Sequence, residues 1–193
     1  MPFIFRPWHE MDGDWFWWGS KQCSPQEFKQ LFAFTIEYLK EEKGLNQMLV
    51  AYSPDRNFRN TEQYLQWYPG DGIVDILGMD NYGDLKQPGG CAVVIEKLHW
   101  IIDLAKTKDK VAAFTETGLE NVTRPDWYDD ELGCVLSDSL VQQEIAYVMV
   151  WRNDPDVHHF FPYPGHPGAE SAKKLLSRPE ILLLGDLNPK SVE

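Results

Sequence analysis

Positive charge is what this sequence has least of. Lys and Arg number 18 against 30 Asp and Glu, which leaves a net charge of −12. Phosphate recognition needs clustered cations, so nucleic acid and anionic membrane surfaces are disfavoured as partners. Neutral polysaccharide needs no charge match and stays open. Cysteine is scarce as well. Cys23, Cys91 and Cys134 are widely spaced and follow no metal-ligand pattern. At least one must be free unless it pairs outside the chain, and no disulfide framework is inferred. No apolar run is long enough to cross a bilayer, and Met1-Pro2-Phe3-Ile4-Phe5 is too short for a signal peptide and lacks a basic start. A Gly-rich phosphate loop after the first strand is also missing, which weakens a nucleotide-binding reading.

What is present fits one ordinary domain: 193 residues, 43% hydrophobic and 25% charged, enough for a sizeable core. Aromatics are plentiful, with eight Trp, eight Tyr and ten Phe. Several sit in polar loop sequence, as from Trp15 to Trp18. Rings so placed are natural platforms for the apolar faces of sugars, although any single one is more often core. Phe16, Trp17 and Trp18 each fit either of those two roles equally well.

Strands and helices alternate along the chain. Phe3–Phe5 is a short strand that runs into Arg6-Pro7-Trp8-His9-Glu10. Ser24-Pro25-Gln26-Glu27 opens a helix: Ser24 can cap, Pro25 suits the first turn and Glu27 completes a capping box. Phe28, Leu31, Phe32, Ile36 and Leu39 give that helix its buried face, and Lys43-Gly44 end it. Further strands are expected at Met48–Tyr52, Val74–Met79, Val111–Phe114 and Ile145–Val150. Helices are expected over Cys91–Ala105, Trp127–Leu140 and Ala169–Ser177. Mostly apolar strands between amphipathic helices mean parallel β/α units. Residues able to do chemistry (His9, Glu10, Asp80, Tyr82, Glu116, Trp151, Arg152) follow the C-terminal ends of four of the five strands, where a (β/α) barrel carries its active site. A doubly wound open sheet is the alternative. A complete barrel has eight strands in roughly 250 residues, so residues 1–193 read as one partial barrel domain, its last five units.

Two carboxylates flanking a glycosidic bond suffice to hydrolyse it. Glu10 follows the first strand here and Glu116 the fourth, at the same end of the sheet. The segment Arg6-Pro7-Trp8-His9-Glu10-Met11-Asp12-Gly13-Asp14-Trp15-Phe16-Trp17-Trp18-Gly19 resembles the acid/base segment of glycoside hydrolase family 26. Phe114-Thr115-Glu116-Thr117-Gly118 is similar to that family's nucleophile segment. Gly78-Met79-Asp80-Asn81-Tyr82, Val150-Trp151-Arg152-Asn153 and Tyr163-Pro164-Gly165-His166-Pro167 resemble its segments after strand 6 and after strand 8.

The resemblance implies a (β/α)₈ TIM barrel of which this chain holds strands 4 to 8, with Glu10 as acid/base and Glu116 as nucleophile of a retaining enzyme. It implies that His9 sets the acid/base and reaches the substrate, that Tyr82 hydrogen-bonds the nucleophile, and that Trp151 floors the subsite of the bond to be cut. Asp80 and Arg152 would be further substrate contacts and Trp15 an aromatic platform. Physically, Glu10 needs a raised pKa to arrive protonated, while Glu116 needs hydrogen-bond donors. The implied activity is endo-β-1,4-mannanase on a β-mannan-type polysaccharide, with β-1,3-1,4-glucanase or β-1,3-xylanase as alternatives within the family. A catalytically silent carbohydrate-binding fragment is the reading from another class. Self-association or a separate N-terminal segment could complete the barrel, since the outer strands leave open edges. The family's polymeric substrate implies an extracellular, periplasmic or cell-surface location.

No metal or cofactor is expected. His9-Glu10 superficially suggests a zinc-protease helix, but Gly13 stands where its second His is required. Adjacent His158 and His159 read as loop residues. Arg152 could also merely balance Asp154 in a surface ion pair.

Overall fold

The structure, a computed structural model, describes residues 2–183 and 185–187. Strands β1 (Phe3–Phe5), β2 (Met48–Tyr52), β3 (Ile76–Asp80), β4 (Val111–Thr117) and β5 (Ile145–Val150) form one parallel sheet in consecutive order. Between them lie α1 (Pro25–Glu37), α2 (Thr61–Tyr64), α3 (Cys91–Lys108), α4 (Gly133–Val135) and α5 (Ser139–Glu144), and α6 (Ala169–Leu176) follows β5. Consecutive order is what β/α units give when each crossover returns the chain to the next position. The sheet is therefore a half-barrel, five of the eight strands of a (β/α)₈ barrel.

Composition explains the central strands. β3 is buried at every position and β4 at all but its first, as expected of parallel strands covered on both faces. Gly78 is needed for close approach: a Cβ there would lie 2.4 Å from Thr115 Cγ2 on the neighbouring strand. The β3–β4 register shifts between Gly78 and Asp80, so that Asp80 pairs with Glu116. Such an irregularity re-aims side chains at a strand end, and here it sets two carboxylates side by side.

α1 begins as expected. Ser24 Oγ accepts from the Glu27 backbone N–H while Glu27 accepts from that of Ser24, and Phe28, Phe32 and Ile36 are buried. α3 buries Val94, Leu98, Ile101, Ile102 and Ala105 and runs one turn further than expected, to a left-handed Asp109. β3 starts two residues later than the apolar run suggested, and β4 extends to Thr117. The single helix expected over Trp127–Leu140 is broken. A wide turn at Tyr128–Leu132 leads into α4, and Asp138 then caps α5 by accepting from the backbone N–H groups of Leu140 (3.1 Å) and Val141 (3.0 Å). A side chain that satisfies two first-turn N–H groups starts a new helix more readily than it continues an old one.

One expectation needs correction. Cys91, at the start of α3, and Cys134, in α4, form a disulfide with Cα atoms 6.0 Å apart, and Cys23 stays free. The odd cysteine count was compatible with this pair, but spacing in sequence did not show that two helix starts meet.

Candidate active site

The chain leaves β1 through a strained turn. Trp8 and Glu10 both adopt left-handed backbone, at φ 53° and 54°, a conformation that costs a non-glycine residue free energy and persists where its surroundings enforce it. The enforcement is visible. Trp8 Nε1 donates to Thr35 Oγ1 (3.0 Å) on α1, Trp18 Nε1 donates to the His9 carbonyl (2.9 Å), and the Glu10 N–H donates to Ser53 O (2.8 Å) at the end of β2. The aromatic run sorts by position. Phe16 lines the cleft and stacks on the partly buried Trp18 with centroids 4.3 Å apart, while Trp17 is exposed.

Arg6, one residue past β1, crosses to the centre of the sheet. Its guanidinium donates to Asp80 Oδ2 through Nη1 and to Glu116 Oε2 through Nη2. Asp80 is fully enclosed, and its other oxygen accepts from Ser53 Oγ at 2.6 Å. Glu116 is buried on β4 and accepts from the Tyr82 hydroxyl at 2.5 Å through Oε1. Each oxygen of Glu116 thus has a side-chain donor. Burial, then the bond to Glu116, raises the Tyr82 pKa and keeps it a donor. Tyr82 is braced in turn by Phe160, whose ring meets it edge-on at 5.6 Å. Gly118 makes that possible, because at φ +149° a Cβ would lie 2.6 Å from Phe160 Cδ1.

Glu10 and Glu116 face one cleft of about 600 Å³, together with His9, Phe16, Tyr82 and Trp151. Burial raises the Glu10 carboxyl to about 7, opposed by the hydrogen bond from Trp15. Burial and the neighbouring Arg6 lower His9 to about 4, so it is neutral at ordinary pH. Two acids at one cleft, one pushed towards the neutral form and the other held by a cation and a phenol, can divide acid and nucleophile roles between them.

Six of the eight residues singled out from sequence meet here. Glu10, Glu116, His9, Tyr82 and Trp151 line the cleft, and Trp15 touches it through Glu10. Asp80 is enclosed behind Arg6, bonded to its guanidinium, and is not among the cleft-lining residues. Arg152 is exposed and paired with Asp154 at 2.5 Å. His9, Asp80 and Glu116 present ligand atoms within 4.8 Å of one another, as a metal would need. Arg6 already supplies a cation to both carboxylates. Sequence reasoning gave no role to Arg6 or to Phe160. An arginine at a strand's C-terminal end in so acidic a chain is the signal for the first; nothing local marks the second.

The profile of glycosyl hydrolase family 26 matches residues 1–127. The mannan endo-1,4-beta-mannosidase of Bifidobacterium adolescentis is 33% identical over 165 residues, which cover 79% of this chain and 16% of that protein. The solved structure of GH26C from a Muricauda species is 42% identical at a TM-score of 0.89, over 97% of this chain and 51% of that one. A GH26 beta-mannanase from Bacteroides ovatus is 38% identical at a TM-score of 0.87, over 97% and 54%. The chain thus spans about half the length of these solved relatives. With the half-barrel and the two-carboxylate cleft, these matches place it: the chain belongs to glycosyl hydrolase family 26.

Proposed function

We propose that this chain carries the catalytic centre of a retaining endo-β-1,4-mannanase acting on mannan, glucomannan or galactomannan. The observation that carries the reading is the asymmetry of the two glutamates. Glu116 accepts from Arg6 and Tyr82 on separate oxygens, while burial gives Glu10 a pKa of about 7 across the same cleft.

In the first step a Glu116 oxygen attacks the anomeric carbon and forms a covalent glycosyl ester. The glycosidic C–O bond breaks, its electron pair leaves with the oxygen, and that oxygen takes the proton of Glu10. In the second step Glu10, now a carboxylate, removes a proton from water as the water oxygen displaces Glu116. Configuration is retained through two inversions. Arg6 and Tyr82 hold the nucleophile, neutral His9 borders the acid, and Trp151 offers an indole to the sugar. The mannan preference is supported by the names of the relatives. The disulfide supports an extracellular, periplasmic or cell-surface location, since such bonds persist in oxidising compartments.

The test is reducing-sugar release by the purified chain on glucomannan, mixed-linkage β-glucan and β-1,3-xylan, beside Glu116→Ala. Release from glucomannan that vanishes in the variant, with the β-anomer formed first by NMR, is expected. Faster release from either other polymer would overturn the substrate, and initial α-anomer the mechanism.

A further inference from the structure

We infer that Trp15 is a positioning residue for the general acid: its indole N–H occupies Oε2 of Glu10 and thereby confines the transferable proton to Oε1. The inference rests on the acid/base reading of Glu10 given above. Nε1 of Trp15 lies 2.7 Å from Glu10 Oε2. An indole nitrogen only donates, so the oxygen facing it is held as an acceptor and a neutral carboxyl must carry its proton on the other oxygen.

Solvent exclusion does not fix this ring. Trp15 is 53% exposed and is not among the cleft-lining residues. Gly13 fixes it. A Cβ on Gly13 would fall 2.3, 2.5 and 2.6 Å from Cη2, Cζ2 and Cζ3 of the indole, so the ring rests on the bare backbone of residue 13. Gly13 has no positive φ that would demand glycine for its own sake; the ring is the reason a side chain is excluded. Gly13 is itself anchored. Its N–H donates to the Glu10 carbonyl (3.0 Å), and its carbonyl accepts from the backbone N–H (2.8 Å) and hydroxyl (2.9 Å) of Ser20. The backbone of Glu10 thus positions Gly13, Gly13 seats the ring, and the ring returns to the Glu10 carboxyl.

The chemical consequence is directional. As the O–H bond at Oε1 breaks and the proton passes to the departing glycosidic oxygen, negative charge grows on the Glu10 carboxyl. Trp15 already donates to that group, so the charge is met without reorganisation. The same bond works against the upward push that burial gives Glu10, and its loss should raise the pKa further.

The test compares Trp15→Phe and, independently, Gly13→Ala with the unaltered chain. kcat/KM is measured across pH on aryl β-mannobiosides with a good (2,4-dinitrophenyl) and a poor (4-methoxyphenyl) leaving group, with Glu116→Ala as control. Phenylalanine keeps a ring for stacking but has no N–H. Both variants should move the basic limb of the profile to higher pH. Both should lose about 10-fold or more on the poor leaving group, a part of the roughly 10²–10⁴-fold that a general acid contributes, and clearly less on the good one. An unmoved limb in Trp15→Phe, or equal losses on both substrates, overturns the inference while leaving Glu10 as the acid. Activity that survives in Glu116→Ala overturns the underlying reading instead, and this inference with it.

Discussion

The two walls of the cleft are built by different means. Glu116 stands on a central strand, enclosed by β3 and by the Arg6–Asp80 pair, so its position is set by sheet register and by buried charge. Glu10 stands on a loop in left-handed backbone, held by tryptophan hydrogen bonds and by one backbone bond to Ser53, just past β2. The contrast matches what the proposed roles demand. A nucleophile returns to the same place after each turnover. An acid that becomes a base needs a surrounding that tolerates both protonation states, and a loop with an exposed donor offers that more readily than a sheet interior.

The comparison is broken most severely from the nucleophile's side. Arg6→Met removes the cation shared by Asp80 and Glu116 and leaves a fully enclosed carboxylate without its partner. It should cost about 3–5 kcal/mol of stability and at least about 10²–10³-fold in kcat, read by denaturant unfolding and by hydrolysis of glucomannan. A variant that folds and turns over normally would show that the pair is decorative.

On the acid's side the expected effect is smaller and depends on the substrate. Glu10→Ala should lower kcat/KM on natural polysaccharide by about 10²–10⁴-fold while largely sparing the glycosylation of substrates with good leaving groups. Because burial holds Glu10 at about 7, the protonated fraction falls as pH rises through that value. The unaltered enzyme should therefore lose kcat/KM above neutral pH, and the variant should lack that limb. Similar losses on both kinds of substrate would argue against the assignment of roles.

Gly118→Ala sharpens the comparison by disturbing the nucleophile's side indirectly. An alanine there must displace Phe160 and adopt an unfavourable φ, which should tilt Tyr82 and reduce kcat about 10-fold, the order of one weakened hydrogen bond to a charged group. Phe160→Ala alone, which removes the brace on Tyr82 and keeps glycine at 118, should lower kcat by a similar factor. An unchanged kcat in Phe160→Ala would assign the Gly118→Ala defect to backbone strain instead.

The mildest effect on chemistry belongs to the disulfide, neither of whose cysteines lines the cleft. Cys91→Ser/Cys134→Ser should lower stability by about 2–4 kcal/mol and leave kcat/KM within about twofold well below the melting transition. A larger change in kcat/KM would mean that α3 and α4 transmit to the cleft.

Much of this was legible in the sequence, and the exceptions are instructive. The sites of all five strands and the capped start of α1 follow from apolar runs and cap residues, which are local signals. Both glutamates were singled out by the family-like segments around them, Arg6–Gly19 and Phe114–Gly118; their strand-end positions added only that both stand on one side of a parallel sheet. The Arg6 bridge was not legible, because its partners lie 74 and 110 residues away and only the shift between Gly78 and Asp80 brings them together. The same holds for Cys91 with Cys134 and for Phe160 on Gly118; the break at Asp138 is different, a local cap that the amphipathic pattern around it masked. Asp80 was legible as a residue at the right strand end, but whether it touches substrate or supports Arg6 depends on a neighbour's side chain crossing the sheet.

The most direct test of the central claim is the stereochemistry of chemical rescue by azide, using 2,4-dinitrophenyl β-mannobioside. Glu10→Ala should still form its glycosyl ester on Glu116, which azide then opens, giving β-mannobiosyl azide by NMR. Glu116→Ala should let azide attack the substrate directly from the vacated side and give the α-azide. The opposite assignment of anomers, or β-azide from Glu116→Ala, would contradict the division of roles between the two walls.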